Sequence, residues 1–220
     1  MGIINRFGAM LHIERFINQL MSSNCYIIVD EETGGCLCID PASEKSEKEI
    51  KYISDNRLIL EYILLTHEHI DHTWGVNALL EAFPSAKVVC SEQCKGTFPK
   101  DAIAFFQLFY NVTNYEYDIK RIDYTTEILG GNLKWHGHEV DFIDTPGHSP
   151  GSVCIAIDST LFGGDTLILF KPFINKRKGG SKEQFAESIT KIQNLFAPNT
   201  IVYPGHGDPF ELNEIHEFLK

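Results

Sequence analysis

Seven side chains able to ligate a metal share one local setting in this chain. Four of them, His67, His69, Asp71 and His72, fall within six residues in Thr66-His67-Glu68-His69-Ile70-Asp71-His72. Three stand apart: His148 and His206, each directly after a Pro-Gly pair, and Asp165, directly after Gly163-Gly164. Neutral imidazole nitrogen and carboxylate oxygen together suit first-row ions such as zinc, iron or manganese, and metal supply helps decide among them. Glu68 is a further acid within the same run.

Each of these groups follows a short apolar run that reads as a strand: 62–65, 140–144, 160–162 and 200–203. A strand end is rigid, so it can hold a ligand in fixed geometry. The Pro-Gly turns bend the chain away and leave each histidine at the mouth of a sheet. Further strands are read at 25–30 and 36–40, joined by a Glu-Glu-Thr-Gly-Gly hairpin, and at 87–90 and 152–157. Ser46 with Glu49 and Ser181 with Gln184 have the spacing of capping boxes. Helical faces follow at Ile50 and Ile53, at Val76, Leu79, Leu80 and Phe83, and at Phe185, Ile189, Ile192 and Phe196; Pro84 and Pro198 stop the last two. A closing helix is read over 211–219, and 103–127 is less regular.

The ordered set His67-x-His69-x-Asp71-His72, then His148, Asp165 and His206, resembles the metallo-β-lactamase superfamily and, in order and spacing, most resembles its glyoxalase II branch over residues 24–208. The resemblance implies an α+β fold, a four-layer αββα sandwich with the site at one edge. It implies a first metal held by His67, His69 and His148, a second held by Asp71, His72 and His206, and Asp165 bridging them. Two divalent ions are expected, zinc or else iron or manganese, roughly 3.5–4 Å apart. Water between them would lose a proton near neutral pH and attack the scissile carbonyl, with Asp71 orienting it as the catalytic residue. The family pattern has no ligand at Glu68.

The expected activity is therefore that of a metallo-hydrolase cleaving a thioester, ester or lactone in a small-molecule acyl substrate. Asp165 sets the chain apart from true β-lactamases, and His69 from flavodiiron proteins. Gly179-Gly180 matches a stretch common in the glyoxalase II branch, whereas the Arg and Asp of that stretch have no match. Lys171, Lys176 and Arg177 are candidates to bind an anionic substrate tail, and the apolar stretch at 105–110 could be a lid, core or a dimer contact. The readings that compete are a persulfide dioxygenase-like oxidoreductase with one iron on two His and one Asp, a lactonase, and a binding module without catalysis.

Composition sets the outer bounds. The 220 residues fit one domain, 1–220, and 43% hydrophobic with 22% charged residues describes a globular chain. The formal net charge of −11 argues against a nucleic-acid partner. No apolar run approaches the roughly 20 residues that span a bilayer, and the first residues lack a signal-peptide pattern, so the expectation is a cytoplasmic protein without a membrane partner. Without a secretory signal, the six cysteines read as buried thiols, with Cys36 and Cys38 on one strand face. His12, His136, His138 and His216 fall outside the motif and read as ordinary polar residues. No pattern specifies an oligomeric state.

Overall fold

Alternation of side chains decides the architecture. In β2 (Asn24–Asp30), Cys25, Ile27 and Val29 enter one core while Tyr26 and Ile28 enter another. Such a strand is apolar on both faces and needs a layer on each side. The computed structural model describes residues 10–19, 21–97, 107, 111, 117–170, 174 and 179–218, with side chains through Ile215.

Two six-stranded sheets provide the inner layers. The first runs β1 (Leu11–Ile17), β2, β3 (Gly35–Ile39), β4 (Ile59–Leu64), β5 (Lys87–Cys90), β6 (Tyr124–Thr125), antiparallel up to β3 and parallel from there on. The second contains β7 (Asn132–Trp135), β8 (His138–Asp144), β9 (Val153–Ile157), β10 (Thr160–Gly164), β11 (Ile201–Pro204) and β12 (Phe210–Glu211), side by side in chain order. Its one parallel pair is β10 with β11.

Three cores separate four layers. Ile28, Leu37, Leu64, Phe142, Ile155 and Phe162 fill the space between the sheets. Outside the first sheet, Cys36, Cys38 and Ile63 pack against Ile53 of α1 (Glu47–Asp55) and Leu79 of α3 (Val76–Ala82), with the one-turn α2 (Ile70–Thr73) between these helices in the chain. Beyond the second sheet, Cys154, Leu161 and Val202 meet Phe185, Ile189 and Ile192 of α5 (Lys182–Leu195). The short α4 (Glu92–Lys95) follows β5. Burying each large aliphatic side chain in these cores contributes about 1.5–3 kcal/mol. The fold is the expected α+β, αββα sandwich.

Several local expectations change. Residues 11–17 form an edge strand that the sequence pattern did not announce, because its side chains are only partly buried. Ser46 stands before α1 in the left-handed region, φ 42°, and its hydroxyl donates to Ser43 O instead of capping the helix, so no capping box forms. Ser181 does cap α5, its Oγ accepting from Gln184 N at 3.2 Å. His138 opens β8 instead of preceding it, and the closing helix is a 3-10 helix, Leu212–Phe218. The six cysteines are free and buried. No helix among the described residues is long and apolar enough to cross a membrane.

Candidate metal centre

The strands set four ligand-bearing segments against one another. β3 and β4 are parallel, so Asp40 and Thr66 emerge beside each other; β10 and β11 are parallel, so Asp165 and His206 do the same. Val153 N donates to Thr66 O at 2.8 Å, tying β9 of the second sheet to the segment after β4. On the His206 side, Asn24 N donates to Gly205 O, and Asn24 Nδ2 donates to Pro204 O and Gly207 O. Arg15 adds hydrogen bonds to Gly207 O and Asp208 Oδ1.

The seven residues singled out by spacing converge into two adjoining clusters. In the first, His69 Nδ1 lies 3.1 Å from His67 Nε2 and 2.9 Å from His148 Nε2. In the second, His72 Nε2 lies 3.3 Å from His206 Nε2, and Asp71 Oδ2 is 3.4 Å from that His206 nitrogen. Asp165 stands between them: Oδ2 is 3.4 Å from His148 Nε2, while Oδ1 is 3.4 Å from His72 Nε2 and 3.6 Å from His206 Nε2. His67, Asp71, His72, His148 and Asp165 are buried, and His69 and His206 are partly exposed, so the centre opens to solvent on their side.

The donor chemistry fits bound metal cations. His69 Nδ1 carries one proton or one lone pair and faces two other ring nitrogens, whereas one cation accepts lone pairs from all three. Asp165 Oδ1 is buried and makes no hydrogen bond among the described residues. Among the described residues, three overlapping groups bring ligand atoms close enough to hold an ion: His67, His69, His148 and Asp165; Asp71, His72 and His206; and Asp40, His67 and His72.

Charge is matched within the centre. Burial alone would raise the Asp165 carboxyl, but His72 and His148 outweigh it and hold the group well below the usual carboxylate range. Asp71 is likewise lowered, burial being outweighed chiefly by His72 and a hydrogen bond from His206. His67 is pushed well below the ordinary imidazole value by burial and then by His72 and His69. Burial would lower His72 too, but Asp165 and Asp71 raise it well above that value.

Asp40 and Thr66 are participants that spacing did not reveal. Asp40 accepts from Thr66 N at 2.8 Å through Oδ1 and from Thr66 Oγ1 at 2.6 Å through Oδ2. Having given its proton to Asp40, the Thr66 hydroxyl accepts from His67 Nδ1 at 3.0 Å, which leaves the His67 Nε2 lone pair facing the cluster. His72 Nδ1 also donates to Asp40 Oδ2, at 3.0 Å. One carboxylate thus orients a histidine in each cluster. The available signal was positional: Asp40 ends an apolar strand, as the ligand candidates do. Phe170 is the other addition, half exposed, its ring centroid 6.3 Å from that of His206. Lys171, Lys176, Arg177 and the 105–110 stretch lie outside the described residues.

Comparison with known proteins bears on the family and the fold. A "Probable polyketide biosynthesis zinc-dependent hydrolase BaeB" of Bacillus velezensis is 30% identical, with 89% of this chain and 78% of that protein aligned. "Glyoxylase B2" of Dictyostelium discoideum is also 30% identical, over 90% of this chain and 70% of its own. The crystal structure of BLEG-1 B3 metallo-beta-lactamase superposes with a TM-score of 0.81 over 95% of this chain and all of the other; at 23% identity, that likeness speaks for the fold. The family model of the metallo-beta-lactamase superfamily matches residues 19–206, and the chain belongs to that superfamily.

Proposed function

We propose that the protein is a metal-dependent hydrolase with a dinuclear centre that cleaves a thioester or ester of a small acyl substrate, most like a glyoxalase II-type thioesterase. The observation that carries this reading is Asp165, whose two oxygens face two separate nitrogen- and oxygen-donor clusters. In this reading His67, His69 and His148 would hold one ion, Asp71, His72 and His206 the other, and Asp165 would serve both. Two divalent ions so held, zinc being the reading the hydrolase relative supports, would supply Lewis acidity and activate water.

The chain's own groups do the rest. Asp71 faces His206 through Oδ2 and is held as a carboxylate, so it can orient the attacking water and take its proton. Asp40 keeps His72 and His67 turned toward the centre. Phe170 offers apolar surface at the mouth for an acyl group or its leaving group. Attack of water on the carbonyl forms the new C–O bond and breaks the C–S or C–O bond, releasing a carboxylate and a thiol or alcohol. A reading with one iron on two His and one Asp uses three of the seven converging groups and leaves the other four without a ligand role, which favours the dinuclear hydrolase.

The test is hydrolysis of S-lactoylglutathione by zinc- and iron-loaded protein, with metal counted per chain and a chelator-treated control. Chelator-sensitive turnover with two metals per chain is the expected result. Two metals without turnover would move the search to other acyl-thioesters, esters and lactones. One iron per chain with oxygen uptake on a persulfide would overturn the hydrolase assignment.

A further inference from the structure

Glu68 stands between two of the candidate ligands, and its carboxylate is hydrogen-bonded to a serine of another segment. It is 3% exposed, and its Oε2 accepts a hydrogen bond from Ser149 Oγ at 2.8 Å. Ser149 directly follows His148, so the neighbour of His67 and His69 is bonded to the neighbour of His148. These histidines come from different sheets, on segments that follow β4 and β8. The spacing of the first cluster therefore depends on how those two segments are held together.

The surroundings make the link stiff. Ser149 Oγ also lies 2.9 Å from Ser152 Oγ, and Ser149 N donates to Ser152 Oγ. Ser91, before α4, donates from Oγ to Gly151 O at 2.7 Å. A Cβ at Gly151 would lie 2.8 Å from Glu68 Oε2 and 2.7 Å from Cys94 N, so the turn closes on the carboxylate with no room to spare. A buried carboxylate is costly unless hydrogen-bonded, and this one meets its cost by tying the turn to the histidine motif. Metal sites tolerate misplacement of only about 0.5 Å.

We propose that Glu68 is a positioning residue that sets the separation of His148 from His67 and His69 and thereby the cation affinity of the first cluster. This rests on the metal-centre reading above. In this role Glu68 acts through Ser149.

The experiment uses the full chain carrying His206→Ala, which cripples the second cluster, and reads zinc affinity by competition with a chromophoric chelator. The His206→Ala protein is expected to bind one zinc, Glu68→Ala in that background to bind it about 10- to 100-fold more weakly, and Glu68→Gln, which retains an acceptor for Ser149, to restore most of the loss. Ser149→Ala keeps Glu68 and removes its donor, together with the hydroxyl contact to Ser152; it is expected to weaken binding in the same sense, and it carries the test if Glu68→Ala does not fold. Thermal melts of the zinc-free proteins separate lost affinity from lost fold. A His206→Ala protein that binds no zinc overturns the metal-centre reading itself. One that binds zinc with affinity unchanged by Glu68→Ala, or by Ser149→Ala where that variant carries the test, overturns the positioning role alone.

Discussion

His72 Nδ1 donates to Asp40 Oδ2 across 3.0 Å, joining α2 to the end of β3 where both side chains are almost wholly buried. The same oxygen receives the Thr66 hydroxyl at 2.6 Å, and through that hydroxyl Asp40 also orients His67. Asp40→Ala is therefore expected to weaken zinc binding about 10- to 100-fold and to affect both clusters, since each loses the support of a histidine. Stepwise zinc titration checks this; a variant that still takes up two ions at native affinity would remove Asp40 from the design.

Asp165 faces each cluster with a different oxygen. Asp165→Ala should lower metal content at both positions and abolish turnover, whereas His148→Ala should deplete the first cluster and spare the second. Metal analysis after equilibration at a buffered free-zinc concentration separates the two patterns. Retention of two metals and full activity by the Asp165 variant would end the bridging assignment.

Gly205 leaves room for its neighbours. A Cβ there would lie 2.4 Å from Asp165 Oδ1 and 2.8 Å from His72 Cε1. Gly205→Ala is expected to displace those groups and lower the occupancy of the second cluster, measured by zinc stoichiometry. Unchanged stoichiometry would mean that the segment after β11 yields freely, despite the hydrogen bonds Asn24 makes to it.

Glu49 is 2% exposed, and its Oε2 has no hydrogen-bond partner among the described residues. Burial raises its carboxyl above the ordinary glutamate value, so the folded protein keeps this proton to higher pH than the unfolded chain. The stabilising contribution is present in full below the ordinary range, about pH 4.3, and is lost as pH rises through the folded value. The melting temperature of Glu49→Gln relative to the unsubstituted protein should accordingly climb across that window and stay level below it. A flat or falling difference would contradict the assignment.

Binding of cations to the folded centre should stabilise the whole chain. At a free zinc concentration 1,000 times the dissociation constant, one site adds about 4 kcal/mol, worth on the order of 10 °C in melting temperature at this chain length. Scanning calorimetry with and without chelator tests this; identical melts would speak against occupied sites.

The order of His67, His69, Asp71, His72, His148, Asp165 and His206 is written in the sequence, as is the alternation that demands layers on both faces of β2. Those features are local: residue type, spacing and period two suffice to read them. The partly buried β1 gave a weak pattern, and Ser46 shows that a correct capping spacing yields to a left-handed backbone imposed by packing. Asp40 and Thr66, which hydrogen-bond His72 and His67, and Ser149, which hydrogen-bonds Glu68, are brought to these partners only by tertiary structure, because the geometry of each bond depends on strand register and on the meeting of two sheets. Glu68 illustrates the division most clearly. Its place between two candidate ligands is plain in the sequence, but whether it faces a metal or a serine 81 positions away was decided by the fold.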